Sequence, residues 1–215
     1  MSTHDRAARF WDERYRTRTA GSPAAKVNPL LSEIAGPLPP GTALDLGCGA
    51  GGDALWLAGR GWRVTAVDIA AAAVDALRQR AESTGAPITA VRADLADGVP
   101  AGTFDLVSAQ YLHTPFALDR ARVLRTAAAS LTPGGRLAVV DHGSTAPWSW
   151  PADPGHHFPT PGEVAAELGL APAEWTIERA DTPQRRAAGP DGSTATVVDH
   201  VLVIRRAGAD PEGRR

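Results

Sequence analysis

The sequence predicts a three-layer α/β domain built on a mostly parallel sheet of seven strands. Three observations carry that expectation. Strand-like and helix-like segments alternate five times along the chain, the pattern expected of a parallel sheet flanked by helices. The stretch from Ala43 to Gly52 reads as a short apolar strand, a glycine turn and the start of a helix. Three successive strands lead into carboxylates, Asp45, Asp68 and Asp94, and parallel strands share a direction, so the three acids fall along one edge.

Residues 1–38 are expected to form an N-terminal helical cap. Within it, 7–16 is a helix that puts Phe10, Trp11 and Tyr15 on one face,. Trp11 and Tyr15 either cover a ligand or anchor the helix on the core. Asn28 caps a second helix with Pro29 in its first turn,. After Pro39, Pro40 and Gly41 comes the first strand, 43–46. Gly47, Gly49, Gly51 and Gly52 let the backbone turn tightly and bring N–H groups close to a ligand,. Asp53 is placed to cap the helix that follows, which Gly59 and Gly61 close,.

The second strand, 63–69, is β-branched and ends at Asp68 and Ile69. Asp68 lies 21 positions after Gly47, where an acid accepts hydrogen bonds from ribose hydroxyls of adenosine-containing ligands. It can equally cap the alanine-rich helix at 70–83. The third strand, 87–91, leads into Asp94 and Leu95. The fourth, 104–110, ends at Gln110, with Tyr111, Leu112 and His113 beyond it at the ligand edge. A helix over 117–131 precedes the turn Thr132-Pro133-Gly134-Gly135 and the fifth strand, 136–141,.

Residues 142–161 are irregular and rich in aromatic side chains, including Trp148, Trp150 and Phe158. They either close over a small substrate or pack on the core. The adjacent His156 and His157 have no acidic or cysteine partner at ligand spacing, and no metal is expected,. Thr160 caps a short helix at 161–168, with Glu163 in capping-box position,. Strands at 175–180 and 196–204, joined by a polar turn at 183–193, form a closing hairpin, so one of them runs antiparallel. Residues 1–206 are expected to be a single domain, and 207–215 a solvated tail.

The bulk numbers bound the function. The chain has 215 residues, 43% hydrophobic and 21% charged, with 22 basic and 24 acidic side chains and a formal charge of −2. That describes a globular protein of one domain. The basic excess of a nucleic-acid binder is missing, as is any apolar run long enough to span a membrane. The polar start, with no apolar signal core, and the lone Cys48 make the cytoplasm the expected location,.

The glycine run formally satisfies G-x-G-x-x-G through Gly47, Gly49 and Gly52, the dinucleotide signature,. Asp45 discriminates. A carboxylate two residues before the first glycine would repel a diphosphate but suits a cationic amino-acid ligand. Asp-x-Gly-x-Gly at 45–49 resembles the first motif of class I S-adenosylmethionine (SAM)-dependent methyltransferases, and the resemblance extends over roughly 11–206. Phe104-Asp105-Leu106-Val107 and the Pro-Gly-Gly turn before the fifth strand fit the same family.

The resemblance implies a Rossmann-like sheet in the order 3-2-1-4-5-7-6, with strand 7 antiparallel. It also implies SAM as cofactor and S-adenosylhomocysteine (SAH) as product. Trp11, Asp45, Gly47, Gly49, Asp68, Ile69, Asp94, Leu95 and Gln110 are the expected cofactor contacts. Asp94 accepts from the adenine amino group, and Leu95 covers the ring. The Trp-Asp-Glu-Arg-Tyr opening at 11–15 and the Asn28-Pro29 pair look most like small-molecule methyltransferases of the tellurite-resistance or thiopurine type. His113 and His142, at the ends of strands four and five, are the candidate catalytic bases. The expected partner is a small-molecule methyl acceptor, neither nucleic acid nor membrane. An NAD(P)-dependent oxidoreductase and a non-catalytic SAM- or SAH-binding module are the alternatives.

Overall fold

The strand β1 (Thr42–Leu46) sits in the middle of the sheet, between β2 (Arg63–Asp68) and β4 (Phe104–Gln110), parallel to both. Ala43, Leu44, Asp45 and Leu46 are all buried, because helices cover both faces,. The computed structural model describes residues 2–19, 26–148, 157–189 and 191–208. β3 (Ile88–Arg92) extends the sheet beyond β2, and β5 (Leu131–His142) lies parallel to β4. β8 (Thr194–Arg206) runs antiparallel to β5, and β6 (Trp175–Asp181) antiparallel to β8. The order β3-β2-β1-β4-β5-β8-β6 is the expected 3-2-1-4-5-7-6, with β8 as the antiparallel strand.

Two apolar clusters, one on each face, hold the layers together. Leu31 of α2 (Pro29–Ala35), Leu57 of α3 (Gly52–Gly59) and Leu77 of α4 (Ala71–Thr84) belong to one. Leu124 of α5 (Arg120–Ala129) and Leu168 of α6 (Pro161–Leu168) belong to the other. The α6 start is as the sequence predicts: the Thr160 side chain accepts from the Glu163 N–H, and Glu163 reaches back to the Thr160 N–H. Asn28 likewise caps α2 by accepting from the Leu30 N–H.

Several expectations need correction. The stretch 183–193 is not merely a turn. It carries an eighth strand, β7 (Gln184–Ala188), paired with the first residues of β8. Its polar composition hides it, because it is an edge strand with little to bury. α5 starts at Arg120 and not near 117, because Asp119 accepts from the Arg122 N–H and sets the start. β5 begins at Leu131 and takes in the Pro-Gly-Gly segment. Asp53 does not cap α3; Gly51 is its N-cap residue, and the Asp53 carboxylate accepts from the Asn28 N–H instead. The expected tail beyond Gly208, and Trp150 and His156 of the aromatic loop, lie outside the described residues. Among the described residues no helix is long and apolar enough to cross a membrane.

Burial sets the expected cost of substitution. Leu44→Ala, fully buried in the central strand, should lose about 2–5 kcal/mol in urea denaturation. Ile177→Ala, at a position 55% exposed on β6, should stay within about 0.5 kcal/mol of the parent.

Candidate active site

The turn after β1 is held in left-handed conformations at Gly47 (φ 69°), Gly49 (φ 50°) and Gly51 (φ 79°). A Cβ at Gly47 would sit 2.8 Å from Leu112, and one at Gly49 only 2.5 Å from the Tyr15 hydroxyl. Backbone donors that such a loop could offer a phosphate are used inside the protein. Gly47 and Cys48 both donate to the Val67 carbonyl, Gly49 to Asp68 Oδ2 at 2.9 Å, and Gly51 to the Cys48 carbonyl. The sequence expectation that these N–H groups face a ligand is therefore corrected at these four positions. They tie the loop to the end of β2.

The three strand-end acids have unequal surroundings. Asp45 is 1% exposed, and among the described residues its Oδ2 has no hydrogen-bond partner. Burial, reinforced by the charges of Asp53 and Asp68, pushes its carboxyl well above the usual range,. Asp68 accepts from the N–H groups of Gly49 and Ala70; burial still raises it, with those hydrogen bonds opposing. Asp94 accepts from the Ala96 N–H through Oδ1, while Oδ2 lies 2.6 Å from His4 Nδ1.

His4 comes from α1 (Thr3–Thr19), which crosses the ligand edge. One residue of the Trp-Asp-Glu-Arg-Tyr segment explains its placement. Asp12 accepts from the Ala72 N–H at 2.7 Å, so it caps α4 from outside, where the local cap residue Ala70 has no side chain to do so,. With Asp12 fixed, Trp11 and Tyr15 face the cleft, and the Trp11 indole N–H donates to Thr114 Oγ1.

Two adjoining cavities open along this edge, of about 230 Å³ and 570 Å³. The smaller is lined by Asp68, Ile69, Asp94 and Leu95, the larger by Asp45, Gly49, Gln110 and His142. Trp11, Gly47, Tyr111 and His113 line both and so mark the junction. All nine residues expected to hold a cofactor, and both candidate bases, therefore meet at one cleft.

Beyond the junction stands a polar assembly. His113 Nε2 is 3.2 Å from Asp141 Oδ1, and Arg120 reaches both Asp141 oxygens at 2.6 Å. Asp141 is 2% exposed. Burial pushes its carboxyl up, but the His113 hydrogen bond and the Arg120 charge outweigh that, and it stays below the usual range, ionised. The His142 ring stacks on Tyr111 (centroids 4.3 Å apart) and lies 5.8 Å from His113. Desolvation, then the neighbouring His113, hold His142 below its usual value, so it is neutral at pH 7. Tyr111 has φ 51°, the one positive value of a non-glycine among the described residues,. Its hydroxyl donates to Asp199 Oδ1 at 3.0 Å, and Arg185 Nε donates to Asp199 Oδ2 at 2.6 Å. Burial and the Asp199 charge push the Tyr111 hydroxyl up to about 12.

Sequence reasoning gave no role to Asp141, Arg120, Asp199 or Arg185. Asp141 carried a signal, since it too is an acid at a strand end. Arg185 and Asp199 carried none, because they meet across a strand pair that the sequence did not reveal.

The cleft fits an adenosyl amino-acid cation. Asp45 turns a buried Oδ2 with no hydrogen-bond partner among the described residues toward the larger cavity, and the absence of side chains at Gly47 and Gly49 lets Leu112 and Tyr15 close on the bend beside it. Comparison with known proteins agrees. Residues 43–135 match the family model described as a methyltransferase domain. Over this segment, just under half of its length, the chain resembles a methyltransferase domain.

Among curated relatives, ribosomal RNA small subunit methyltransferase C of Chromohalobacter salexigens is 41% identical over 101 residues, 45% of this chain and 30% of that protein. Ribosomal protein L11 methyltransferase of Burkholderia thailandensis is 39% identical over 100 residues, 46% of this chain and 31% of that protein. The chain thus spans under a third of the length of these relatives. Among solved structures, one described as "Conversion of a Disulfide Bond into a Thioacetal Group during Echinomycin Biosynthesis" is 26% identical, with a TM-score of 0.70 over 95% of this chain and 93% of that one. TehB from Haemophilus influenzae, 17% identical with a TM-score of 0.68 over 84% and 62%, shares the fold. So does magnesium protoporphyrin IX methyltransferase from Synechocystis with bound SAH, 19% identical with a TM-score of 0.66 over 96% and 100%.

Two outcomes check this site. The native Asp45 carboxyl lies above its unfolded value, so the native state holds the extra proton. Raising the pH between the two values removes stability, and the loss is complete above the native value. Asp45→Asn should therefore raise apoprotein stability at pH 7–8 by about 1 kcal/mol in urea denaturation, while weakening SAH binding in calorimetry. Gly49→Ala, strained and colliding with Tyr15, should weaken SAH binding by about tenfold or more, about 1.4 kcal/mol.

Proposed function

We propose that this protein transfers the methyl group of SAM to a small-molecule acceptor. The observation that carries the reading is Asp45, a buried carboxylate without a partner at the end of the central strand, which an ammonium would complete. In this reading Asp45 and Gln110 attend the methionine end. Asp68 accepts from the ribose hydroxyls, flanked by Ile69. Leu95 covers the adenine. Asp94 accepts from its amino group through Oδ2, the oxygen His4 contacts now, so binding exchanges one donor for another. Trp11 covers the junction, and Gly47 and Gly49 leave space for the chain between. His113 and His142 stand on the acceptor side.

The oxidoreductase alternative is disfavoured by the loop: a diphosphate would find the N–H groups of Gly47, Cys48, Gly49 and Gly51 already taken, and Asp45 beside it. A non-catalytic binding module does not account for the ordered histidine and carboxylate beyond the junction. The matched relatives are named for ribosomal RNA or ribosomal protein, but the match covers under half of this chain and under a third of theirs. The formal charge of −2 and a cleft roofed by α1 support a small-molecule acceptor and a cytoplasmic setting.

Thermal shift with SAM, SAH and NAD tests the reading, since a ligand stabilises the state it binds. Stabilisation by SAM and SAH but not NAD is expected; a shift with NAD and none with SAH would refute it. Asp68→Ala should weaken SAH binding by about tenfold or more, about 1.4 kcal/mol, with the fold retained by circular dichroism. Unchanged affinity would remove the ribose role.

A further inference from the structure

We infer that the acceptor presents an aromatic or enolic hydroxyl, and that His113, held by Asp141, takes its proton as the methyl arrives. The inference rests on the proposed methyl transfer and adds the class of acceptor. A thiol, selenol or metalloid acceptor is ionised or nucleophilic near neutral pH and needs no base, whereas a hydroxyl does. This cleft holds an arrangement suited to a base. Asp141 is buried and ionised, and it faces the His113 ring at 3.2 Å. A carboxylate only accepts, so His113 Nε2 carries the hydrogen and Nδ1 the lone pair. The imidazolium formed on proton transfer is then stabilised by the same carboxylate. Arg120, bonded to both Asp141 oxygens, keeps that carboxylate ionised and in place. His113 is 40% exposed and lines both cavities at their junction, where acceptor and methyl donor must meet.

The surroundings favour a flat acceptor. The rings of Tyr111 and His142 stand beside His113, with Tyr111 anchored through Asp199 and Arg185. His142 is neutral at pH 7 and adds no charge. The step balances: the acceptor oxygen bonds to the methyl carbon as the carbon–sulfur bond breaks and its electron pair stays on sulfur. The hydroxyl proton passes to His113 Nδ1 and then to solvent.

4-Nitrophenol for the colour measurement, and phenol, pentafluorophenol and thiophenol as acceptors, are suitable probes, with the full chain. With SAH bound, wild-type protein should take up 4-nitrophenol as the yellow phenolate at a pH below its free titration; His113→Gln should lose that shift while keeping SAH affinity within twofold. With SAM, His113→Gln should lose about 100-fold or more in kcat on unsubstituted phenol, which is un-ionised at pH 7. The loss should be under about threefold on pentafluorophenol, already ionised at pH 7. Free imidazole should restore His113→Ala. Equal losses on both phenols, an unaltered phenolate shift, or turnover of thiophenol alone or of no probe would overturn the acceptor class. The first two leave methyl transfer itself standing; absence of any SAM or SAH binding would bring down the underlying reading instead.

Discussion

A buried carboxyl group whose Oδ2 has no hydrogen-bond partner among the described residues is the constraint around which the cleft is arranged. Asp45 cannot move to water, because the middle of a sheet covered on both faces holds it. Its near neighbours Asp53 and Asp68 are acids that make matters worse. A folded protein tolerates such a group where something binds there, and stability is given up for that purpose. The glycine bend beside it is explained by the same need. Side chains at Gly47 or Gly49 would collide with Leu112 and Tyr15, which line the cleft, and the loop's own hydrogen bonds to Val67 and Asp68 fix its shape.

The meeting of the glycine bend and the strand-end acids at one edge was legible in sequence because its features are local. A strand, a run of glycines and an acid at a set distance are short-range patterns, and the sheet places them together by topology alone. Helix caps at Asn28 and Thr160 were readable for the same reason: donor and acceptor lie within three residues. Asp12 was not, since it caps a helix 60 residues away. The acceptor side was partly legible. His113 and His142 stood out as histidines at strand ends. Their partners did not, because Asp141 meets His113 across two strands, and Arg185 reaches Asp199 only through a strand whose sequence is too polar to advertise itself.

The two halves of the cleft divide the labour. The β1–β2–β3 edge carries the acids Asp45, Asp68 and Asp94. The β5–β8 edge, with the added β7, carries the paired charges that hold Tyr111 in a left-handed conformation and set the histidines beside it. α1 joins the halves. It contacts Asp94 through His4 at one end of the cleft, caps α4 through Asp12, and presents Trp11 and Tyr15 over the junction. Ordering of α1 and occupation of the cleft are therefore linked through the same few contacts.

The most direct measurement is a carbon-detected NMR titration of the Asp45 side-chain carboxyl, without and with saturating SAH. In the free protein this group should titrate well above the ordinary aspartate range, and SAH, bringing its ammonium, should move the titration markedly downward. An ordinary value in the free protein, or one that SAH leaves in place, would contradict the assignment of this carboxylate as the anchor of the site.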